Sequence, residues 1–230
     1  MVIMGELKAR EGHIKVRGLS LADVAKGSDF SGNQAVDAAA IAGGATTTTA
    51  GRAGKVPDGT ATFAYAAQEP WIMSNTLRNN VLFGLAYDRE WYDQVISACS
   101  LDQDLLELPN SDATVIGDKG VNLSGGQKAR VGLARALYTK AHILLLDDPL
   151  SAVDSHVGHH LFYNAVCCAR LFESQGAGLK TVILVTHQVQ FLNAEEISKV
   201  VVMDRGSISA VGTYEELVQE EKLEFVGGLG

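Results

Sequence analysis

No stretch of these 230 residues is apolar for long enough to cross a bilayer. The longest apolar runs, around 143–146 and 181–185, fall far short of the roughly 20 residues a spanning helix needs. The start, Met1-Val2-Ile3-Met4-Gly5-Glu6, has no basic segment leading into a long apolar one, so it does not read as a signal peptide. Any membrane role is expected to come through a partner or through sequence beyond these residues. Positive charge is also scarce: 19 Lys and Arg stand against 27 Asp and Glu, a net charge of −8. That balance argues against a general nucleic-acid binder, which needs basic surface to neutralise phosphates. It leaves room for a local anion site, where a few backbone N–H groups and one cation suffice. Cysteine is rare. Cys99, Cys167 and Cys168 include one adjacent pair, which rarely bridges, and no C-x-x-C spacing, so reduced thiols in a cytosolic setting fit best.

What is present is ordinary for an α/β protein: 47% hydrophobic and 20% charged residues, in a chain long enough for one large domain or two small ones. Residues 1–18 read as the end of a helix followed by a strand over 13–17. Residues 19–60 differ in kind. Gly43-Gly44-Ala45 runs into four threonines, and large apolar anchors are few. Such a segment buries too little surface to offset its ordering entropy, so a flexible insertion is expected, with a docking loop as the rival. Order is expected to resume near Ala61 with a strand over 61–67 ending at Gln68. Helical periodicity then dominates 75–108 and 124–139, with Trp91, Val95 and Cys99 on one face and Val131, Ala134 and Leu137 on another. Strand-like and helical runs alternate afterwards: strand 142–146, helix 155–172, strand 181–185, a short helix 189–193, strand 199–203 and helix 214–220. Alternation of this kind points to a mostly parallel sheet flanked by helices.

Chemistry concentrates in a few places. Leu123-Ser124-Gly125-Gly126-Gln127 opens a helix. Paired glycines let a backbone approach an anion, the helix start supplies free N–H groups, and Ser124 adds a hydroxyl. A plain Ser-capped helix explains the same residues when they are taken alone. Downstream, Ile143-Leu144-Leu145-Leu146-Asp147-Asp148-Pro149 delivers two carboxylates at the C-terminal end of an apolar strand. Ligands of open α/β sheets bind there, and a carboxylate in that place suits Mg²⁺. Ser151-Ala152-Val153-Asp154 follows, and Val185-Thr186-His187 ends the next strand.

In this order the motifs resemble the nucleotide-binding domain of ABC transporters, closely over 61–217 and more loosely over 1–18. Leu123–Gln127 is identical to the LSGGQ signature; Leu144–Asp147 resembles the Walker B strand, and Ser151–Asp154 the D-loop. His187 resembles the switch histidine and Gln68 the Q-loop glutamine. The run Gln68-Glu69-Pro70-Trp71-Ile72-Met73-Ser74-Asn75-Thr76 and its continuation to Gly84 look like the multidrug-resistance-associated C subfamily. The stretches Ile116-Gly117-Asp118-Lys119-Gly120-Val121-Asn122 and Asp154-Ser155-His156-Val157-Gly158 look the same. Asp148 stands where most such domains have a glutamate base, as in the first of two nucleotide domains of a full transporter. Its carboxylate falls about 1.5 Å short, and misplacement on that scale costs on the order of 100-fold.

The resemblance implies an α/β, P-loop NTPase-like ABC ATPase domain over 61–222, with an α-helical subdomain at about 75–139 and a tail at 223–230. It implies ATP and Mg²⁺ as cofactors, and transmembrane domains and a second nucleotide-binding domain as partners, at the cytoplasmic face of a membrane; nucleic acid is not implied. Gln68 and Asp147 would serve Mg²⁺, Asp148 would be a weak base and His187 the γ-phosphate contact. Ser124, Gly125, Gly126 and Gln127 would serve nucleotide held by the opposite domain. One motif is missing. No G-x-x-x-x-G-K-[ST] phosphate loop occurs; Gly54-Lys55-Val56 has Thr49 in place of the first glycine and reads as a chance match. Met1–Leu7 resembles the end of the helix after that loop, so the P-loop strand and the N-terminal β part are expected upstream. A soluble ABC ATPase and a fragment that binds no nucleotide remain the alternatives. His156, His159 and His160 have helical spacing able to bind metal, but a solvated helix face explains them as well. Cys167 and Cys168 are expected to give one buried and one half-exposed thiol.

Overall fold

The computed structural model describes residues 15–16, 19–20, 63–117, 122–167 and 181–223. The expectations for 1–14, for nearly all of the insertion, for Cys168 and for the end of the tail lie outside them. Leu19–Ser20 (β2) pairs antiparallel with Lys15–Val16 (β1), just inside the stretch assigned to the insertion.

Three parallel strands carry the site. Phe63–Ala66 (β3) pairs with Ile143–Asp147 (β4), Tyr65 opposite Leu145, and β4 pairs with Thr181–Val185 (β5), Asp147 opposite Val185. The central strand is apolar without alternation because both of its faces are covered, and Leu144, Leu145 and Leu146 are all buried. It starts one residue later than its composition suggests and takes in Asp147, since the pairing with β5 continues to Val185. Val200–Asp204 (β6) and Ser207–Gly212 (β7) form an antiparallel hairpin. Its two-residue loop, Arg205-Gly206, has positive φ at both positions, the twist that matches paired strands.

Among the described residues, four α-helices lie between β3 and β4: Leu77–Leu82 (α1), Arg89–Ala98 (α2), Asp102–Glu107 (α3) and Gly125–Tyr138 (α4). Thr76 caps α1 and Asp88 caps α2 through their side-chain oxygens. Trp91, Val95 and Cys99 are buried together, as their spacing predicts. Helix α4 differs from a one-faced reading. Every residue from 131 to 138 is buried, because α1, α2 and β3 all pack on it. Gly132 is in van der Waals contact with the turn after Gln68: a Cβ there would meet the Pro70 ring at 2.6 Å. Arg135 is buried too. It donates to the Asn80 and Trp71 carbonyls at 2.8 Å and lies over the Phe83 ring, and burial pulls its pKa down to about 10. It stays protonated at neutral pH.

Ser155–Leu161 (α5) is shorter than the helix expected over 155–172. A π-helical turn, Phe162–Val166, replaces its continuation and stacks Phe162 flat on Phe191 at 4.3 Å. The short helix expected at 189–193 is a single 3₁₀ turn, Val189–Phe191. Tyr214–Gln219 (α6) begins with a reciprocal cap between Thr213 and Glu216.

Candidate functional site

Parallel pairing in register brings Gln68, Asp147, Asp148 and His187 to one edge of the sheet, where β3, β4 and β5 end. Gln68 is exposed on the bend that follows β3. The Tyr65 hydroxyl donates to Asp147 Oδ2 at 2.9 Å and fixes that carboxylate. Composition alone gives no reason to single out Tyr65; its part emerges only from the register between β3 and β4.

Asp148 adopts a left-handed backbone, φ +47°, which Asp and Asn tolerate better than most side chains. Its N–H donates to the Val185 carbonyl at 2.8 Å, and the Ser151 hydroxyl donates to its carbonyl at 2.8 Å. These two bonds fold the chain back after β4 and point the carboxylate toward β5. There His187 Nδ1 lies 3.0 Å from Oδ2, with the Thr186 hydroxyl 3.4 Å from Oδ1. The Asp148 side chain is 11% exposed and that of His187 72%, so the carboxylate is fixed and the imidazole free to swing. Among the described residues, no three His, Cys, Asp or Glu side chains converge as a metal chelate. The edge fits a cation held as Mg²⁺ usually is, by one or two protein oxygens with water and phosphate completing the shell.

Ser124–Gln127 form a second group at the start of α4. Ser124 Oγ accepts from the Gln127 N–H at 3.2 Å, and Gln127 Oε1 accepts from the Ser124 N–H at 2.8 Å. The helix therefore begins at Gly125, and the N–H groups of Gly125 and Gly126 are first-turn donors without intrahelical acceptors. The two glycines differ. A Cβ on Gly126 would stand 2.8 Å from the Ala152 carbonyl, so its bareness lets the turn at 151–154 approach. A Cβ on Gly125 would meet nothing within 4 Å among the described residues. Facing them, Asp154 caps α5 by accepting from the His156 and Val157 N–H groups at 3.0 Å. Those bonds, that to Val157 foremost, hold its carboxyl below the usual range. A cleft of about 370 Å³ opens between the two helix starts, and none of the sheet-edge residues lines it.

Two of the three histidines of α5 are engaged away from the site. His160 Nε2 lies 3.0 Å from the Ser97 carbonyl, and His159 packs on the Tyr163 ring. Burial pushes the half-buried Cys167 thiol up to about 11.

A parallel sheet with carboxylates at its C-terminal edge, whose following turn packs against a glycine-opened helix start, has the arrangement expected of an ABC-type ATPase domain. The sequence profile described as ABC transporter matches residues 1–151. The ABC-type transporter cicA of Emericella nidulans is 49% identical over 163 residues, 70% of this chain and 11% of that protein. The ATP-binding cassette sub-family C member 4 of Mus musculus is 51% identical over 156 residues, 68% of this chain and 11% of its own length. The ABC transporter C family member 6 of Arabidopsis thaliana is 50% identical over 169 residues, 71% and 11%. The chain belongs to the ABC transporter family, as a nucleotide-binding domain of the multidrug-resistance-associated, C-subfamily type. It spans about a tenth of the length of these relatives. No helix among the described residues is long and apolar enough to cross a membrane.

Proposed function

We propose that the chain works inside an ATP-driven export transporter, at the cytoplasmic face of a membrane, beside transmembrane domains and a second nucleotide-binding domain. In this reading the ATPase domain covers 61–222 with its helical subdomain at 75–139, residues 1–18 precede the insertion at 19–60, and 223–230 form a tail. Its signature serves ATP bound on the opposite domain. The reading needs a phosphate loop that these 230 residues do not contain.

The start of α4 carries the proposal. Among the described residues nothing comes within 4 Å of a Cβ at Gly125, so the bare position is open to a ligand from outside. One Ser124 lone pair is taken by the Gln127 N–H, and the hydroxyl proton remains available to an outside acceptor. With the first-turn N–H groups of Gly125 and Gly126, this makes a set of donors suited to a terminal phosphate. At the sheet edge, Asp147 and Gln68 would hold Mg²⁺, which when bound neutralises charge on phosphate oxygens. Asp148, 3.0 Å from His187 Nδ1, would be a short base, and the exposed His187 imidazole would contact the γ-phosphate.

Two substitutions in the assembled transporter test this. Gly125→Asp puts bulk and negative charge where a phosphate must come. ATP hydrolysis should fall on the order of 100-fold or more, with nucleotide still bound. Asp148→Asn should change the rate only slightly. A larger loss from Asp148→Asn than from Gly125→Asp would show that this domain carries the active base and would reject the proposal.

A further inference from the structure

The reciprocal cap at Ser124 depends on which way the Gln127 amide points. Oε1 must face the Ser124 N–H; rotated by half a turn, the amide would set donor against donor and the cap would open. The amide nitrogen supplies the orientation. Gln127 Nε2 donates at 2.8 Å to Oδ1 of Asp104 on α3, and an ionised carboxylate only accepts. Asp104 is 8% exposed and also takes Arg130, with Nη1 at 2.5 Å from Oδ2 and Nη2 at 3.2 Å from Oδ1. The same guanidinium donates to the carbonyl of Ser100, which a left-handed backbone turns toward it, and to that of Gly126 at 3.4 Å. One carboxylate thus ties the first turn of α4 to the corner between α2 and α3.

We propose that Asp104 is a positioning residue for the signature. It acts through Gln127 and Arg130 to hold Ser124, Gly125 and Gly126 at the angle where they meet nucleotide on the opposite domain. The inference rests on the function proposed above and assigns Gln127 to orienting Ser124 rather than to contacting nucleotide.

Amide hydrogen exchange on the 230-residue chain tests the clamp. Asp104→Asn keeps the shape and removes the acceptor-only charge. Exchange at the Ser124 and Gln127 amides should rise roughly tenfold, the size of one lost charge-assisted hydrogen bond. The amides of Val131 to Leu137 should keep their wild-type rates. An unchanged rate at Ser124, or an equal rise along all of α4, overturns the proposal. In the assembled transporter, Asp104→Asn should lower kcat about tenfold with KM retained, and Asp104→Glu should restore part of it. Gln127→Leu leaves the Asp104–Arg130 pair intact and should lower kcat similarly; wild-type kcat in that variant also overturns the proposal. Ser124→Ala separates the two levels. Unchanged hydrolysis there rejects the role of the signature itself, while the exchange result still decides whether the clamp exists.

Discussion

The helices between β3 and β4 share one sealed core with those two strands, whereas β5 to β7 are far less covered among the described residues. On the helical side Trp91, Val81, Val95, Leu101 and Leu137 are sealed, and Trp91 Nε1 donates to the Tyr138 carbonyl at 3.1 Å. On the strand side Val185, Val201, Met203, Ile208 and Val211 stand half or more exposed among the described residues. The signature thus rests on a platform that its own surroundings make rigid. Asp148 and His187 sit where the sheet meets less of its own chain. Presentation of Ser124 and Gly125 is a property of the helices, while the geometry at the sheet edge depends on what covers the strands.

Denaturant unfolding offers the largest test of that contrast. Trp91→Ala should cost about 3–5 kcal/mol, and Ile208→Ala less than about 0.5 kcal/mol. Comparable losses from the two would erase the distinction.

The adjoining glycines give a middle-sized effect where the two regions touch. Gly126→Ala forces a Cβ against the Ala152 carbonyl and should cost about 1–3 kcal/mol. Gly125→Ala has open space and a better helix former, and should be neutral or gain up to about 1 kcal/mol. Thermal melts of both variants decide it; equal destabilisation would mean that Gly125 is a folding residue.

The smallest effect concerns acid. Asp88 and Asp154, one on each side, have carboxyls held below the usual range, chiefly by the N–H groups of Trp91 and Val157 respectively. Stability from such groups is present above the unfolded pKa and fades as pH falls through the lower folded one. Asn keeps the cap without titrating, so Asp88→Asn with Asp154→Asn should flatten the acid limb below about pH 4. A limb as steep as that of the wild type would show that neither cap contributes.

Much of this was readable from sequence where a local pattern decides the outcome. The cap at Ser124, the apolar run before Asp147 and the Trp91–Val95–Cys99 face are local, and each is found where its residues place it. The rest depends on contacts distant in sequence. Asp104 lies 23 residues from Gln127, and one of three acidic residues in a six-residue helix looks like solvated surface. Tyr65 reaches Asp147 across 82 residues. The π-helical turn at Phe162 follows from stacking on Phe191, which periodicity within one helix does not contain. Full burial of α4 likewise reflects its neighbours α1, α2, β3 and β4 rather than its own spacing.

The left-handed backbone at Asp148 has an evolutionary side. Asp and Glu codons differ only in the third base, so a longer carboxylate is one point mutation away. Such a side chain would need His187 to yield by about the length of one C–C bond. The imidazole is the exposed member of the pair and has room to do so. No packed core need be rebuilt for the exchange. What such an exchange costs is therefore set less by packing than by the left-handed backbone at 148, which Asp tolerates better than Glu.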